Sequence, residues 1–189
     1  MSKKKILIDV DGVFANFADY YLDYLNSVFE TNYKYENITD FDMEKSLELN
    51  DFQKFMMDRW RSKPGIASNL SVDQDVVDTI ILLDAISDVY FLTSHLSSNP
   101  TWVYERDLWL QHHFGPNLGR KVIYTKHKQA VTGDIFIDDC YENIVKWAEY
   151  NPKGAAYLWT APWNVNAKWN KRLTLQDFKR LQQELLNNF

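Results

Sequence analysis

The chain has 189 residues, of which 46% are hydrophobic and 25% charged, with a formal net charge of −5. Such a composition excludes wholesale disorder, and the acidic balance argues against a nucleic-acid polymer as partner, Lys3-Lys4-Lys5 being a short basic run. The single cysteine, Cys140, excludes an intramolecular disulfide, and no apolar run approaches membrane-spanning length.

The length suits one domain with a small insertion. The first predicted strand covers Lys5 to Asp9, a short apolar run that enters Asp9-Val10-Asp11-Gly12. Those two acids also interrupt what would be the apolar region of a signal peptide, so the expected location is cytoplasmic, with no membrane partner. Phe17, Tyr20, Tyr21, Tyr24, Leu25, Val28 and Phe29 recur at helical spacing and predict a helix over Asn16 to Phe29. A short helix is expected after Thr39-Asp40, with one of these two as its cap. Another helix spans Asp51 to Arg61 and ends at Lys63-Pro64-Gly65. The next runs from Ser71-Val72-Asp73 to Ile86. A second strand, Asp88 to Leu92, ends in Thr93-Ser94-His95. A helix carrying Trp102, Tyr104, Trp109, Leu110 and Phe114 closes at Gly115-Pro116. The third strand, Arg120 to Tyr124, leads into Thr125-Lys126-His127-Lys128, and the fourth, Asp134 to Ile137, ends in Asp138-Asp139. A helix over Tyr141 to Tyr150, a fifth strand over Ala155 to Trp159 and a last helix capped by Thr174 complete the chain. Strands alternating with helices predict an α/β fold with a doubly wound parallel sheet.

In a parallel sheet the carboxyl ends of the strands share one edge, where ligands bind. Here those ends carry acids, hydroxyls, lysines and a second acidic pair, in that order. A carboxylate can attack a phosphoryl group, and acids from two strands can hold Mg²⁺. A hydroxyl and an ammonium can stabilise the transferring oxygens, and the second acid of Asp-x-Asp can move the proton. Taken singly each residue has a plainer reading. Thr93 is a strand end, Lys126 and Lys128 are surface lysines, Asp138 is a helix cap, His95 is a loop residue, and Phe17 and Trp60 pack a core.

The four motifs together resemble the haloacid dehalogenase (HAD) superfamily of phosphotransferases, which implies a Rossmann-like core with a small helical cap inserted after the first strand. The expected boundaries are 1–15 and 71–189 for the core and 16–70 for the cap. By that resemblance Asp9 is nucleophile and metal ligand, and Asp11 is the general acid/base and a further metal ligand. Thr93 binds the phosphoryl group and Lys128 neutralises charge, preferred to Lys126 for its distance to Asp138. Asp138 and Asp139 hold Mg²⁺ or orient its ligands. More narrowly, Asp9 to Phe17, Phe91 to Ser94, Trp109 to Gly115, Thr125 to Lys128, Gly133 to Asp139 and Ala161-Pro162-Trp163-Asn164 are similar to the 5′(3′)-deoxyribonucleotidases. That implies a Mg²⁺-dependent phosphatase of (deoxy)nucleoside monophosphates. Phe17 falls on the position that contacts the base. Phe41 and Trp60 are looser candidates for the base, and Ser94 and His95 for other parts of the substrate. The resemblance also allows a homodimer. One departure stands out: Cys140 follows the acidic pair where the family usually has Arg, leaving Lys126 or Arg106 to supply a cation. Two alternatives stay open at this point, a phosphatase of another small phosphate ester and a nucleotide-binding protein without catalysis.

Overall fold

The computed structural model describes residues 3–187. Six parallel strands form a single sheet in the spatial order β3-β2-β1-β4-β5-β6. They are β1 (Lys5–Ile8), β2 (Asp88–Thr93), β3 (Val122–Tyr124), β4 (Ile135–Asp138), β5 (Ala155–Trp159) and β6 (Arg172–Leu173). Among the described residues the α-helices are α1 (Phe17–Phe29), α2 (Met43–Ser46), α3 (Asp51–Arg61), α4 (Gln74–Ile86), α5 (Trp102–Leu118), α6 (Tyr141–Tyr150) and α7 (Leu175–Asn187). Among the described residues no helix is long and apolar enough to cross a membrane.

Why β1 lies at the centre follows from its side chains. Ile6, Leu7 and Ile8 are all buried, as a strand covered on both faces requires. Ile6 and Ile8 pack on one side with α4, α5 and α7 residues such as Ile80, Phe114 and Phe178. Leu7 packs on the other with Trp147 of α6 and Phe136 of β4. Residues of α1 to α3 build a separate core around Tyr21, Leu25, Met57 and Trp60, to which α5 contributes Trp102. The chain leaves and re-enters the sheet region through adjacent strands of backbone: Asn16 N donates to Ser71 O and Asp73 N to Phe14 O, both near 3 Å.

Four details differ from the sequence reading. A sixth strand is present, only two residues long, too short to leave a periodic pattern. Asp42, rather than Thr39 or Asp40, caps α2, its carboxylate accepting from the amides of Glu44 and Lys45. Asp40 pairs instead with the Lys45 side chain. The third strand starts at Val122 instead of Arg120. Helix α5 breaks at Gly115 (φ 75°) but resumes through Pro116 to Leu118, because proline fits the first turn of the new helical segment.

Candidate active site

The polar edge forms where β1, β2 and β4 end side by side. Asp9 follows β1, and its amide donates to Ile137 O of β4 at 2.9 Å. Thr93 and Asp138 are the last residues of β2 and β4. One ligand oxygen from each of Asp9, Asp138 and Asp139 lies within 4.8 Å of the others, and all three residues are buried. An all-oxygen carboxylate set of this kind suits a hard divalent cation. Gly12 makes room for it: at φ 79°, a Cβ there would stand 2.2 Å from Asp139 Oδ2. Gly12→Ala is therefore expected to destabilise the fold by about 1–3 kcal/mol, through left-handed strain and displacement of that carboxylate. An unchanged melting temperature would mean the carboxylate retreats freely.

Lys128 bridges the acids. It follows β3 in a 3₁₀ turn (Lys128–Ala130) and is 3% exposed. Its Nζ lies 2.8 Å from Asp9 Oδ2 and 2.7 Å from Asp138 Oδ2. Burial pushes the ammonium towards losing its proton, but the two carboxylates outweigh that and hold it charged above the usual lysine range. Lys126 takes a different course, donating to Ser97 Oγ at 2.8 Å. Asp138 is engaged on every side. Oδ1 accepts from Cys140 N at 2.7 Å, and Asn143 Nδ2 reaches both oxygens at 3.2–3.3 Å. Burial raises its pKa to about 6 against the pull of Lys128. Asp139 is raised well above the ordinary carboxylate value by burial and then by the charges of Asp138 and Asp9. A cation bound among them relieves that repulsion.

Asp139 is also fixed from behind. Asn164 Nδ2 donates to Asp139 O and to Trp159 O, each at 2.8 Å. The Asn164 amide oxygen accepts from Arg172 Nη2 at 2.6 Å and from Ala161 N, which fixes the orientation of the amide.

Above these groups opens a cavity of about 440 Å³ between the strand ends and the α1–α3 helices. Asp9, Asp11, Thr93, Ser94, His95, Lys128 and Asp139 line its floor, and Phe17 and Phe41 lie along its wall. Ser94 turns its hydroxyl to Thr125 O at 3.0 Å. Nδ1 of His95 is buried without a hydrogen-bond partner among the described residues. Trp60 is a correction. It lies off the cavity, 4% exposed, stacked on Tyr24 with ring centres 5.0 Å apart and packed against Tyr20, Tyr21 and Phe17. It fills the helical core because it shares the inward face of α3 with Met57. Residues the sequence reading missed also line the cavity: Met43, Arg61, Trp102, Asn143 and Trp163.

Arg106 is a further cation at the edge. It is fully buried on α5, and its Nη2 donates to Asp11 Oδ1 at 2.6 Å. Burial raises the Asp11 pKa, and the Arg106 charge opposes this without cancelling it. Cys140 lines the cavity, and burial, followed by the Asp138 charge, raises the pKa of its thiol.

The chain is 23% identical over 186 residues to the 5′(3′)-deoxyribonucleotidase of Bacillus subtilis, covering 97% of this chain and 99% of that protein. It is 24% identical over 165 residues to the human cytosolic-type 5′(3′)-deoxyribonucleotidase, covering 82% and 79%. Its fold is similar to that of a magnesium-bound HAD hydrolase of Bacillus subtilis, with a TM-score of 0.61 at 12% identity, covering 96% and 99%. A HAD-like hydrolase of Streptococcus pneumoniae gives a TM-score of 0.59 at 14% identity, covering 95% and 98%. The family described as 5′ nucleotidase, deoxy (pyrimidine), cytosolic type C protein matches residues 3–181, and with that span of nearly the whole chain the protein belongs to this family.

Proposed function

We propose that the protein is a phosphomonoesterase that removes phosphate from (deoxy)nucleoside monophosphates through an aspartyl-phosphate on Asp9. The observation that carries this reading is the convergence of Asp9, Asp11, Thr93, Lys128 and Asp139 on one cavity floor beneath aromatic side chains. Family membership supports it, as do the activities that the relatives' names state.

In this mechanism a carboxylate oxygen of Asp9 attacks phosphorus. Asp11 gives a proton to the departing sugar oxygen and then takes one from the water that splits the acyl phosphate. Thr93 and Lys128 hold the phosphoryl oxygens. Asp9, Asp139 and the backbone carbonyl of Asp11 would hold Mg²⁺, and Asp138, whose oxygens are taken by Lys128, Asn143 and Cys140 N, would orient them. When bound, the cation offsets the negative charge between the acids and the phosphate. Residues 16–70 serve as a cap. In it Phe17 and Phe41 stack on the base, a contact worth roughly 1–3 kcal/mol per ring in comparable sites, and His95 meets the substrate from the β2 loop.

The test is phosphate release across ribo- and deoxynucleoside monophosphates and a set of sugar phosphates, with and without Mg²⁺. A deoxynucleotide should rank first. A sugar phosphate that outranks every nucleotide sinks the nucleotide reading, and saturable binding without release sinks the enzymatic one.

A second expectation follows from linkage. Asp138 and Asp139 have folded-state pKa values above the unfolded ones, so ionising them opposes folding. That penalty is absent below about pH 4 and grows as pH rises through 6. Asp40 and Asp177, whose values are lowered, remain ionised across this window. The melting-temperature gain on adding Mg²⁺ should therefore increase between pH 5 and about pH 7.5. A gain that is flat or falls with pH contradicts the assigned ligand set.

A further inference from the structure

We infer that Arg106 is a positioning residue for the acid/base carboxyl: it holds Asp11 by Oδ1, so that the proton delivered to the leaving group is carried on Oδ2. This rests on the phosphomonoesterase reading above. Trp102, Arg106 and Trp109 fall on one face of α5 at four- and three-residue spacing. The guanidinium carbon is 5.1 Å from the Trp102 ring centre and 5.0 Å from that of Trp109, both rings being buried. Between them the side chain is fully enclosed, and of its polar nitrogens Nη2 reaches Asp11 at 2.6 Å. Nε and Nη1 are buried without a hydrogen-bond partner among the described residues.

Packing does not call for an arginine here. A methionine would fill the slot between two indoles without burying unpaired donors, so the stability an arginine brings here comes from its ion pair with Asp11 and not from packing. What a methionine lacks is the hold on Asp11. Lys128 is committed to Asp9 and Asp138, and the position after the acidic pair is Cys140. A guanidinium only donates and keeps its charge at every working pH. Oδ1 is thus an acceptor whether or not Asp11 carries its proton. The proton has one place to sit, and the carboxyl cannot rotate to exchange its oxygens without breaking the ion pair.

The experiment compares two leaving groups on the same nucleoside. A deoxynucleoside 5′-monophosphate expels an alkoxide that must be protonated, whereas the analogue with bridging sulfur in place of the 5′ oxygen expels a thiolate that need not be. For Arg106→Met the expected result is a fall in kcat/KM of about 10- to 100-fold on the oxygen ester. On the sulfur ester the fall should stay under about threefold, even though the melting temperature drops because Asp11 has lost its ion-pair partner. Arg106→Lys should show the same split at smaller size, and it carries the comparison alone if the methionine variant does not fold. Parallel losses on both esters overturn the inference, as does an undiminished rate on the oxygen ester. If wild-type protein releases phosphate from neither ester, the phosphomonoesterase reading fails instead, so the two failures are told apart.

Discussion

Replacing Asp9 by Asn should abolish turnover, with kcat lowered by about 10⁴-fold or more, while the fold persists. The substitution keeps the shape of the side chain and removes the nucleophilic oxygen pair. Asp9 Oδ1 accepts from Val10 N at 2.8 Å and Oδ2 faces Lys128 at 2.8 Å, so one of its oxygens is fixed by backbone and the other by a cation. An amide oriented with its carbonyl oxygen towards one of these donors meets the other with its NH₂. Acid quenching during turnover separates this from a merely weakened site. Wild-type protein should retain labelled phosphate in a base-labile acyl linkage, and the Asn variant none. If the variant accumulates labelled protein, the nucleophile lies elsewhere. A cooperative melting transition in the variant would show that the loss is chemical.

The second large effect is expected at Lys128. Lys128→Met leaves the buried Asp9, Asp138 and Asp139 facing one another without their cation. Breaking such a pair by removing one partner costs about 3–5 kcal/mol. In a domain of this size that is a drop in melting temperature of roughly 6–20 °C. Activity should fall by about 10²–10³-fold, since a preorganised charge aimed at the phosphoryl oxygens is lost as well. The destabilisation has a signature. With Lys128 gone, burial raises Asp138 further from the value near 6 it has in the intact site, with the Cys140 N–H bond left to oppose it. A proton then substitutes for the missing ammonium, and the gap between variant and wild type narrows as pH falls from 8 to 5. A gap that is constant over that range would mean that Lys128 acts through packing alone.

Much of this site was legible because strands concentrate chemistry at their ends. Asp9, Thr93, Lys128 and Asp138-Asp139 each close or follow an apolar run, and a parallel sheet brings such positions to one edge whatever their separation in sequence. The cavity wall was harder to read. Met43, Arg61 and Trp102 come from helices, where an apolar or long side chain at three- or four-residue spacing looks the same whether it faces a core or a ligand. Trp60 illustrates the converse: its residue type suggests a base platform, yet the stacked Tyr24 ring claims it for the helical core. Arg106 could be suspected as a cation but not located, since its contact with Asp11 joins residues 95 positions apart. The two-residue β6 adds to the sheet edge through its pairing with Leu158 and Trp159, and no pattern that short separates strand from loop.

The central position of β1 sets the order in which the protein can assemble. Its register partners are Asp88 to Phe91 on one side and Ile135 to Ile137 on the other. At about 5–20 residues per second, synthesis of the last partner lags that of β1 by on the order of ten seconds. Until then Ile6, Leu7 and Ile8 lack their β4 neighbour, while the contacts within α1 to α3 are local and form early. A nascent chain ending at residue 130 already contains Asp9, Asp11, Thr93 and Lys128. It nonetheless lacks β4, and with it the hydrogen bond from Asp9 N to Ile137 O that sets Asp9 in place. The roof over the cavity is thus completed before its floor, and the apolar first strand is the segment that a ribosome-associated chaperone has most reason to shield.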